Sequence, residues 1–453
     1  MTGKGQESAR KGSPSPLAPL PTGERGKPSS PPTPLPSFAK ASSFVETTED
    51  KSEGVPGGEG GKRRSGLHVV CFGGEDWWYH NRGHVDMQLM QRFAARGRVL
   101  YVNSIVMRKF NVGEGGMFWR RVRRKVASIR RGMSEEKPGF FVYSPLTLPV
   151  HHVWAAARLN QAGLKLQVKR AMRKIGIARP IVWVACPPAL ETAAAIAGEA
   201  LVYQRTDRYE EYPGVDSGEI RRMDRELKKR ADLTVFVNHA LYEAEGAECR
   251  RAFLSDHGVD YEFFADAEKD ARMPEEIKAL PRPIIGFFGG IDDHTMDVGL
   301  AAEVARMRPQ YSFVFVGSAS ADLGLFEGLS NARFVGKKAY EEIPHYGKCF
   351  DVAIMPWRQN EWIKMCNPVK LKEYLALGKP VVSTPFRELE HYREVAYVAR
   401  GAEEFAAALD RAIAEDSPER KAARRERVRG HTWDAKAEEV LRAIREAVRT
   451  SDR

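Results

Sequence analysis

The chain has 453 residues, of which 43% are hydrophobic, and a net charge of +11. This length suits two or three ordinary domains with real hydrophobic cores. The five cysteines are widely spaced and form no CxxC pair, which argues against a disulfide scaffold or a zinc site and favours a reducing compartment. No run of eighteen apolar residues occurs, so we expect no transmembrane helix.

Two segments depart from the average composition. Residues 1–64 contain ten of the 27 prolines and show no helical or strand period, so we predict a disordered tail there. Residues 115–134 carry seven Lys/Arg and no Asp/Glu. The rest of the chain is close to neutral, so the basic character belongs mainly to that one segment.

A first series of strands and helices begins after the tail. The predicted strands read LHVVCFGG, RVLYVNS, FFVYS, PIVWVAC, ALVYQ and DLTVFVN, and helical segments such as residues 83–96 lie between most of them. Strands that alternate with helices indicate a parallel sheet covered on both faces. We therefore predict a first domain over residues 66–265.

The same pattern restarts after a proline-containing connector. The predicted strands PIIGFFGG, YSFVFVG, ARFVG, DVAIMP and PVVST form a second domain over residues 282–417. Residues 418–450 follow as helices, and Trp433–Val448 is amphipathic. Two doubly wound, Rossmann-like α/β domains predict a cleft between the carboxyl ends of their strands, where ligands usually bind.

The stretch NPVKLKEYLALGKPVVSTP contains the most specific pattern. Asn367 is predicted to cap a helix, Pro368 to occupy its first position and Gly378 to end it. Lys370 and Glu373 then share one face near the helix N-terminus, which suits a phosphate beside a diol. The alternative interpretation is an exposed helix on which Glu373 and Lys370 are solvated ion-pair neighbours.

With these motifs the chain resembles GT-B glycosyltransferases of group 1, the group that includes family 4. FDVAIMPW followed by NPVKLKEY carries the resemblance most specifically, and FGGEDWWYHNRGH, IIGFFGGI, ADLTVFVNHALYEAEG with GVDYEFF, and HTWDAKAEEVLRAI support it. Over residues 66–450 the chain resembles bacterial envelope-polysaccharide glycosyltransferases of the teichuronic-acid type. The resemblance implies two Rossmann-like domains facing a cleft, with the last helix crossing back to the first domain.

The resemblance also implies a donor site. In such enzymes the equivalent of Glu373 holds the ribose hydroxyls of a nucleotide sugar, and the backbone of Asn367–Val369 with Lys370 lies at the pyrophosphate. The chain departs from the family 4 pattern at Met365, where a second glutamate is usual, and Arg358 is a candidate substitute for missing positive charge. We expect a UDP- or GDP-sugar as substrate, no cofactor and no metal.

Other candidate residues follow strands or begin helices. Asp207 comes directly after the strand ALVYQ, although a helix cap or a salt bridge would explain it equally well. His84 and Arg82 lie at the start of the first helix and complete the catalytic candidates. The backbone can approach a ligand closely at the glycines after the two opening strands, Gly73, Gly74, Gly289 and Gly290.

The implied reaction is transfer of a hexosyl group from a nucleotide-diphosphate sugar to a glycan or lipid-linked acceptor, in bacterial envelope or exopolysaccharide synthesis. We expect it to be metal-independent and to retain the anomeric configuration. A sugar-nucleotide epimerase of the same fold is the main alternative, and a non-enzymatic nucleic-acid binder that uses residues 115–134 is a second. No recognised nucleic-acid module surrounds that segment, so no nucleic-acid partner is expected.

The basic segment 115–134 favours a membrane partner. Trp119, Val122, Val126 and Ile129 are spaced to lie on one helix face, and Lys/Arg occupy much of the rest. This composition is typical of a helix lying on an anionic membrane surface, although an ordinary surface helix packed on its own domain is the alternative. We therefore expect a cytoplasmic protein, peripheral on the inner face of the cytoplasmic membrane.

Overall fold

A computed structural model describes the chain at residues 66–79, 83–104, 116–146, 154–212 and 214–451. Three of the sequence predictions lie outside the described residues or side chains: the tail 1–64, Arg82, and the side chains of Trp119 and Val122. In the described part, no helix combines the length and the apolar character needed to cross a bilayer.

The first half of the described chain alternates strands and helices. Its elements are β1 (Leu67–Phe72), α1 (Val85–Ala94), β2 (Gly97–Val102), α2 (Gly116–Arg131), β3 (Met133–Lys137), β4 (Phe140–Tyr143), α3 (Trp154–Lys174), β5 (Ile181–Val184), α4 (Leu190–Ala194), β6 (Ala200–Arg205), α5 (Ser217–Arg230), β7 (Leu233–Phe236), α6 (His239–Glu245) and β8 (Ala252–Leu254). The central strands are almost completely buried, because helices cover both faces of the sheet. All six strands predicted in this half are present.

These eight strands form one sheet in the order β3-β4-β2-β1-β5-β6-β7-β8. Every neighbouring pair is parallel except β3 and β4, which are antiparallel. The prediction of an all-parallel sheet is therefore wrong at this edge. Strand β3 reads MSEEK and is largely exposed, so it lacks the apolar pattern by which buried strands are recognised.

The second half repeats the alternation after two short connecting helices, α7 (Tyr261–Ala265) and α8 (Glu275–Lys278). Its elements are β9 (Ile284–Phe288), α9 (Val298–Met307), β10 (Ser312–Val316), β11 (Ala332–Gly336), α10 (Ile343–Gly347), β12 (Val352–Met355), α11 (Glu361–Lys364), α12 (Val369–Ala376), β13 (Val381–Ser383), β14 (Ala396–Val398) and α13 (Gly401–Ala414). The six strands are all parallel, in the order β11-β10-β9-β12-β13-β14. The predicted pair of doubly wound sheets is confirmed.

Two helices end the described chain, α14 (Pro418–Arg429) and α15 (Trp433–Ser451). Helix α15 buries the predicted apolar face, including Trp433, Val440 and Ile444, in the core cluster that also contains side chains of α1 and of the central strands of the first sheet. Helix α14 packs against α12 and α7 instead. The last helix therefore returns to the first sheet, as the resemblance implied.

Candidate functional site

A cavity of about 280 Å³ lies where the strand order of each sheet reverses. Gly74 and Ala185 follow β1 and β5, the neighbouring strands at the reversal in the first sheet, and Gly289 follows β9 at the reversal in the second. This is the position at which open α/β sheets bind ligands, outside the carboxyl ends of their strands. Both sheets thus contribute walls to one cavity.

Helix α12 supplies part of the wall on the side of the second sheet. Its N-cap is Pro368, one residue later than predicted, and no side chain caps the helix. The predicted cap at Asn367 is wrong, because its amide donates instead to the carbonyl of Val237, 2.8 Å away. Gly378 ends the helix in the left-handed region (φ 76°), as predicted. The first backbone N–H groups of α12 therefore lack a side-chain acceptor.

Glu373 is a buried carboxylate with too few donors. Its residue surface is 8% exposed, and the Tyr340 hydroxyl lies 3.5 Å from Oε1. That hydroxyl also lies 3.2 Å from Asp260, and its single proton serves one acceptor at a time. Burial raises the pKa of Glu373 to about 8, with Lys370 opposing the shift and Asp260 adding to it. The interpretation of Glu373 as a solvated helix residue is therefore wrong.

Lys370 lies one turn earlier, close to aromatic rings rather than carboxylates. Its Nζ is 4.5 Å from the ring centre of Phe287 and 5.5 Å from that of Trp357. Burial lowers the pKa of its ammonium group, and within the described ranges no carboxylate forms an ion pair with it. Gly289, at φ +142°, gives the ammonium room, since a Cβ there would collide with Nζ.

The facing wall comes from the first sheet. Asp207, two residues after β6, and His84, at the N-cap of α1, both line the cavity. Burial raises the pKa of Asp207 to about 6, while a hydrogen bond from the Tyr212 hydroxyl, 3.2 Å away, opposes the shift. Neither residue caps a helix with its side chain, and Asp207 forms no ion pair with a described Lys or Arg. The cap and salt-bridge alternatives for Asp207 are therefore not observed.

Some predicted site residues line the cavity and others do not. Those that do are Gly74, His84, Asp207, Gly289, Val369, Lys370 and Glu373. Those outside the lining are Gly73, Gly290, Asn367, Pro368 and Arg358. Arg358 is exposed, and its backbone N–H donates to Thr295. Gly73 packs against the ring of Tyr101, which would collide with a Cβ.

Sequence analysis missed several lining residues. Asp86 is buried and accepts hydrogen bonds from the Gly74 N–H and the Tyr101 hydroxyl, each 2.8 Å away, so it fixes the turn after β1. An acid in the first turn of α1, the first helix after the Gly73–Gly74 pair, is a signal that could have found it. His257 lines the cavity as well, and burial lowers its pKa to about 3, so its imidazole is neutral.

The two sheets also meet beside the cavity. The Asn238 amide caps α6 and donates to the carbonyl of Met365, 2.9 Å away, while the Asn367 amide donates back to Val237. Lys372 forms an ion pair with Asp256, 2.5 Å away, deep in the same junction. These reciprocal contacts hold the start of α12 against the end of β7, so the cavity walls are positioned by both sheets.

Comparisons with known proteins agree with this architecture. Residues 282–415 match the family described as "Glycosyl transferases group 1". A putative teichuronic acid biosynthesis glycosyltransferase of Bacillus subtilis, TuaH, is 29% identical over 197 residues, which are 41% of this chain and 49% of that protein. The chain thus spans about half the length of this curated relative.

Solved structures extend the likeness across both sheets. Sucrose-phosphate synthase from Thermosynechococcus elongatus is similar over 84% of this chain and 98% of its own, with a TM-score of 0.63 at 16% identity. HepE of Anabaena, solved in complex with UDP-glucose, is similar over 84% of this chain and all of its own, with a TM-score of 0.59 at 13% identity. These likenesses show a shared GT-B fold. Residues 282–415 are therefore a glycosyl transferases group 1 domain, set within a GT-B fold that both sheets complete.

Proposed function

We propose that the protein is a glycosyltransferase that moves a hexosyl group from a nucleotide-diphosphate sugar to an acceptor hydroxyl. The observation that carries this proposal is the pair formed by Glu373 and Lys370 in the cavity at both strand-order reversals. Glu373 is buried and Lys370 is part-buried, yet neither has an opposite charge within ion-pair distance in the part of the chain that the structure describes. A buried charge without a partner is expensive unless a ligand supplies one.

A nucleotide-diphosphate sugar supplies a partner for each of these two side chains. The two ribose hydroxyls donate to the Glu373 carboxylate, which has lone pairs to spare. The diphosphate accepts from Lys370 and from the uncapped N–H groups at Val369 and Lys370, where the helix dipole also favours negative charge. UDP- and GDP-sugars both fit this description, and the UDP-glucose complex of HepE, which has the same fold, supports a UDP-sugar.

The reaction forms a bond from the acceptor oxygen to the anomeric carbon while the bond to the diphosphate oxygen breaks. The leaving diphosphate takes the bonding electrons, and Lys370 with the helix N-terminus stabilises its charge. We infer from these groups that the reaction proceeds without a metal. The acceptor proton goes to Asp207, to His84 or to the leaving phosphate, because the first two line the wall opposite α12. Retention of configuration is inferred from the resemblance to family 4.

The acceptor is inferred to be a glycan or a lipid-linked glycan of the bacterial envelope, which the likeness to TuaH supports. Helix α2 is suited to bring the first sheet to a lipid surface. Lys125 donates to the carbonyl of Ser104, and Ser128 donates to Asp76, so one helix face holds to the protein. Val126 lies on the remaining surface of the helix and is 46% exposed.

The basic residues of α2 surround that exposed valine. Arg123, Arg124, Arg130 and Arg131 are all exposed, although Arg124 and Arg131 also lie over aromatic rings of the loop after β1. Each basic residue near an anionic bilayer contributes on the order of 1 kcal/mol, and salt weakens the attraction. We propose that the protein is cytoplasmic and attaches peripherally to the inner face of the cytoplasmic membrane.

The proposed activity is tested by incubating the protein with UDP- and GDP-sugars, with and without lipid or glycan acceptors. A transferase releases nucleotide and labels the acceptor, and the label depends on Glu373. Conversion of the donor to an epimer without acceptor labelling would instead establish the epimerase alternative. Failure to bind or turn over any nucleotide sugar would contradict the proposal.

The membrane proposal is tested by sedimentation with vesicles of anionic or neutral lipid at low and high salt. Binding should require anionic lipid and should fall when Arg120, Arg121, Arg123 and Arg124 become Gln. A matched control replaces four exposed basic residues of α5 by Gln, namely Arg221, Arg222, Arg225 and Lys229. An equal loss of vesicle binding in both variants would mean that net charge alone causes the binding. It would contradict a specific role for α2.

A further inference from the structure

A second cavity, of about 300 Å³, lies at the junction of the two sheets, away from the proposed donor site. His239 reaches it from the start of α6, directly after β7 and Asn238. Glu388 and His391 reach it from the 3-10 segment Arg387–Tyr392, which follows β13. The three side chains therefore come from opposite sides of the junction.

The ligand-type atoms of this group converge. His239 Nδ1 lies 2.6 Å from Glu388 Oε1, and the ring centres of His239 and His391 are 4.1 Å apart. One nitrogen or oxygen from each of the three residues lies within 4.8 Å of the others. Ligands of a tetrahedral Zn²⁺ ion lie about 2.0–2.2 Å from the metal and hence roughly 3.3 Å apart. Small side-chain rotations reach that spacing, and His391 is exposed and free to rotate.

The charge balance of Glu388 points to a cation. Its side chain is 3% exposed, and no described Lys or Arg lies within ion-pair distance of it. Glu388 Oε2 instead accepts from the backbone N–H of His239, 3.3 Å away, which leaves Oε1 directed at the imidazole. Buried carboxylates are normally paired with a cation or coordinate a metal. The described basic side chain within contact distance of Glu388 is the His239 imidazole, which is itself a common metal ligand.

We propose that His239, Glu388 and His391 form a binding site for a divalent transition-metal ion of the Zn²⁺ type, which links the two sheets at their junction. Two imidazole nitrogens and one carboxylate oxygen suit such an ion, and water completes its coordination. The backbone N–H bond to Glu388 orients the carboxylate as an outer-shell partner does. Because the ligands come from both sides, a bound ion fixes α6 to the segment after β13. The cavity of this group shares no lining residue with the proposed donor site.

The proposal is tested by titrating chelator-treated full-length protein with Zn²⁺ against a chromophoric competitor. The key variant is His391→Phe, which keeps a ring against His239 but removes the nitrogen ligand from an exposed position. His345→Phe, a part-buried histidine outside the group, is the matched control. We expect one tight Zn²⁺ per chain in the wild type and the control, and affinity weaker by on the order of tenfold or more in His391→Phe.

Two further readouts separate this site from general metal binding. Co²⁺ in the wild-type protein should give the visible absorption of a tetrahedral site, and Glu388→Gln should abolish it. Zn²⁺ should raise the unfolding temperature of the wild type and the control more than that of His391→Phe. The proposal is overturned if no stoichiometric ion binds, or if His391→Phe binds as tightly as the wild type. Neither result depends on glycosyltransferase activity.

Discussion

Two groups of charged side chains, one around Arg205 and one around Glu373, are built in opposite ways. At the carboxyl end of β6, Arg205 is completely buried and donates to Glu210 and Glu245 at 3.0–3.1 Å. Lys228 reinforces it, 2.8 Å from Asp224 and 2.5 Å from Glu245. Each buried charge in this cluster has opposite charges within contact distance, so the cluster is complete without a ligand.

The wall on the side of the second sheet lacks such pairing. Glu373 has one long hydrogen bond from a shared hydroxyl, and Lys370 lies over aromatic rings. Folding therefore leaves these two titratable groups without ion-pair partners, which costs stability. The contrast teaches that burial of charge alone does not identify a site. A paired cluster like that of Arg205 supports the fold, and an unpaired one like that of Glu373 is poised for a ligand.

Breaking the paired cluster should have the largest effect on stability. Arg205→Met leaves three buried carboxylates with one remaining buried ammonium, so we expect the free energy of unfolding to fall by about 3–5 kcal/mol. Urea unfolding followed by circular dichroism measures the change. A loss below about 1 kcal/mol would mean that the cluster is not a structural requirement.

Removing the unpaired carboxyl group of Glu373 should instead increase the free energy of unfolding. Burial raises the pKa of Glu373 from its ordinary value of 4.5 to about 8. Between these two pH values the folded state keeps a proton that the unfolded state has released. Wild-type stability from this group therefore falls as the pH rises from about 4.5 to 8. Glu373→Gln should stabilise the unliganded protein at pH 8 by on the order of 2–4 kcal/mol, and much less at pH 5.

The same variant should lose nucleotide affinity. A hydrogen bond to a charged group contributes about 1.5–3 kcal/mol, so UDP should bind Glu373→Gln roughly 10- to 150-fold more weakly. Calorimetric titration measures the affinity, and the unfolding data exclude misfolding as the cause. A variant that is less stable than the wild type at pH 8, or that binds UDP equally well, would reverse the contrast between the two clusters.

Lys370 allows a finer test, because its proposed partner is the diphosphate alone. Lys370→Met should weaken UDP binding by about 1.5 kcal/mol, roughly tenfold, and leave uridine binding unchanged. Lys364→Met is the matched control, since Lys364 is exposed and pairs with Glu361 on α11. Equal weakening of UDP and uridine would mean that Lys370 supports the cavity wall rather than the phosphates.

Much of the fold was predictable because it rests on local pattern. Continuous β-branched and aromatic runs predicted the buried strands, and Gly378 predicted the end of α12. Strand β3 escaped because an exposed edge strand needs no apolar residues. β14, the three-residue strand Ala396–Val398, escaped as well, because so short a segment shows no period.

The site was predictable only in part, because its decisive contacts span long distances in sequence. The motif around Lys370 and Glu373 was visible, but Glu373 contacts Tyr340, whose hydroxyl also contacts Asp260, and these two residues lie 33 and 113 residues before Glu373. Asn367 matched a helix cap locally, yet a carbonyl 130 residues away takes its amide. The local preference of Asn367 for a helix cap is overridden because a tertiary contact gives its side-chain amide a hydrogen-bond acceptor.

The central claim, that Glu373 is a buried acid awaiting the ribose hydroxyls, is tested most directly by the proton balance of UDP binding. Calorimetry at pH 7 in two buffers of different ionisation enthalpy measures the protons released. Hydroxyl donors favour the carboxylate, so wild-type protein should release up to about one proton more than Glu373→Gln, while protons from UDP itself are common to both. Equal release by the two proteins would contradict the account.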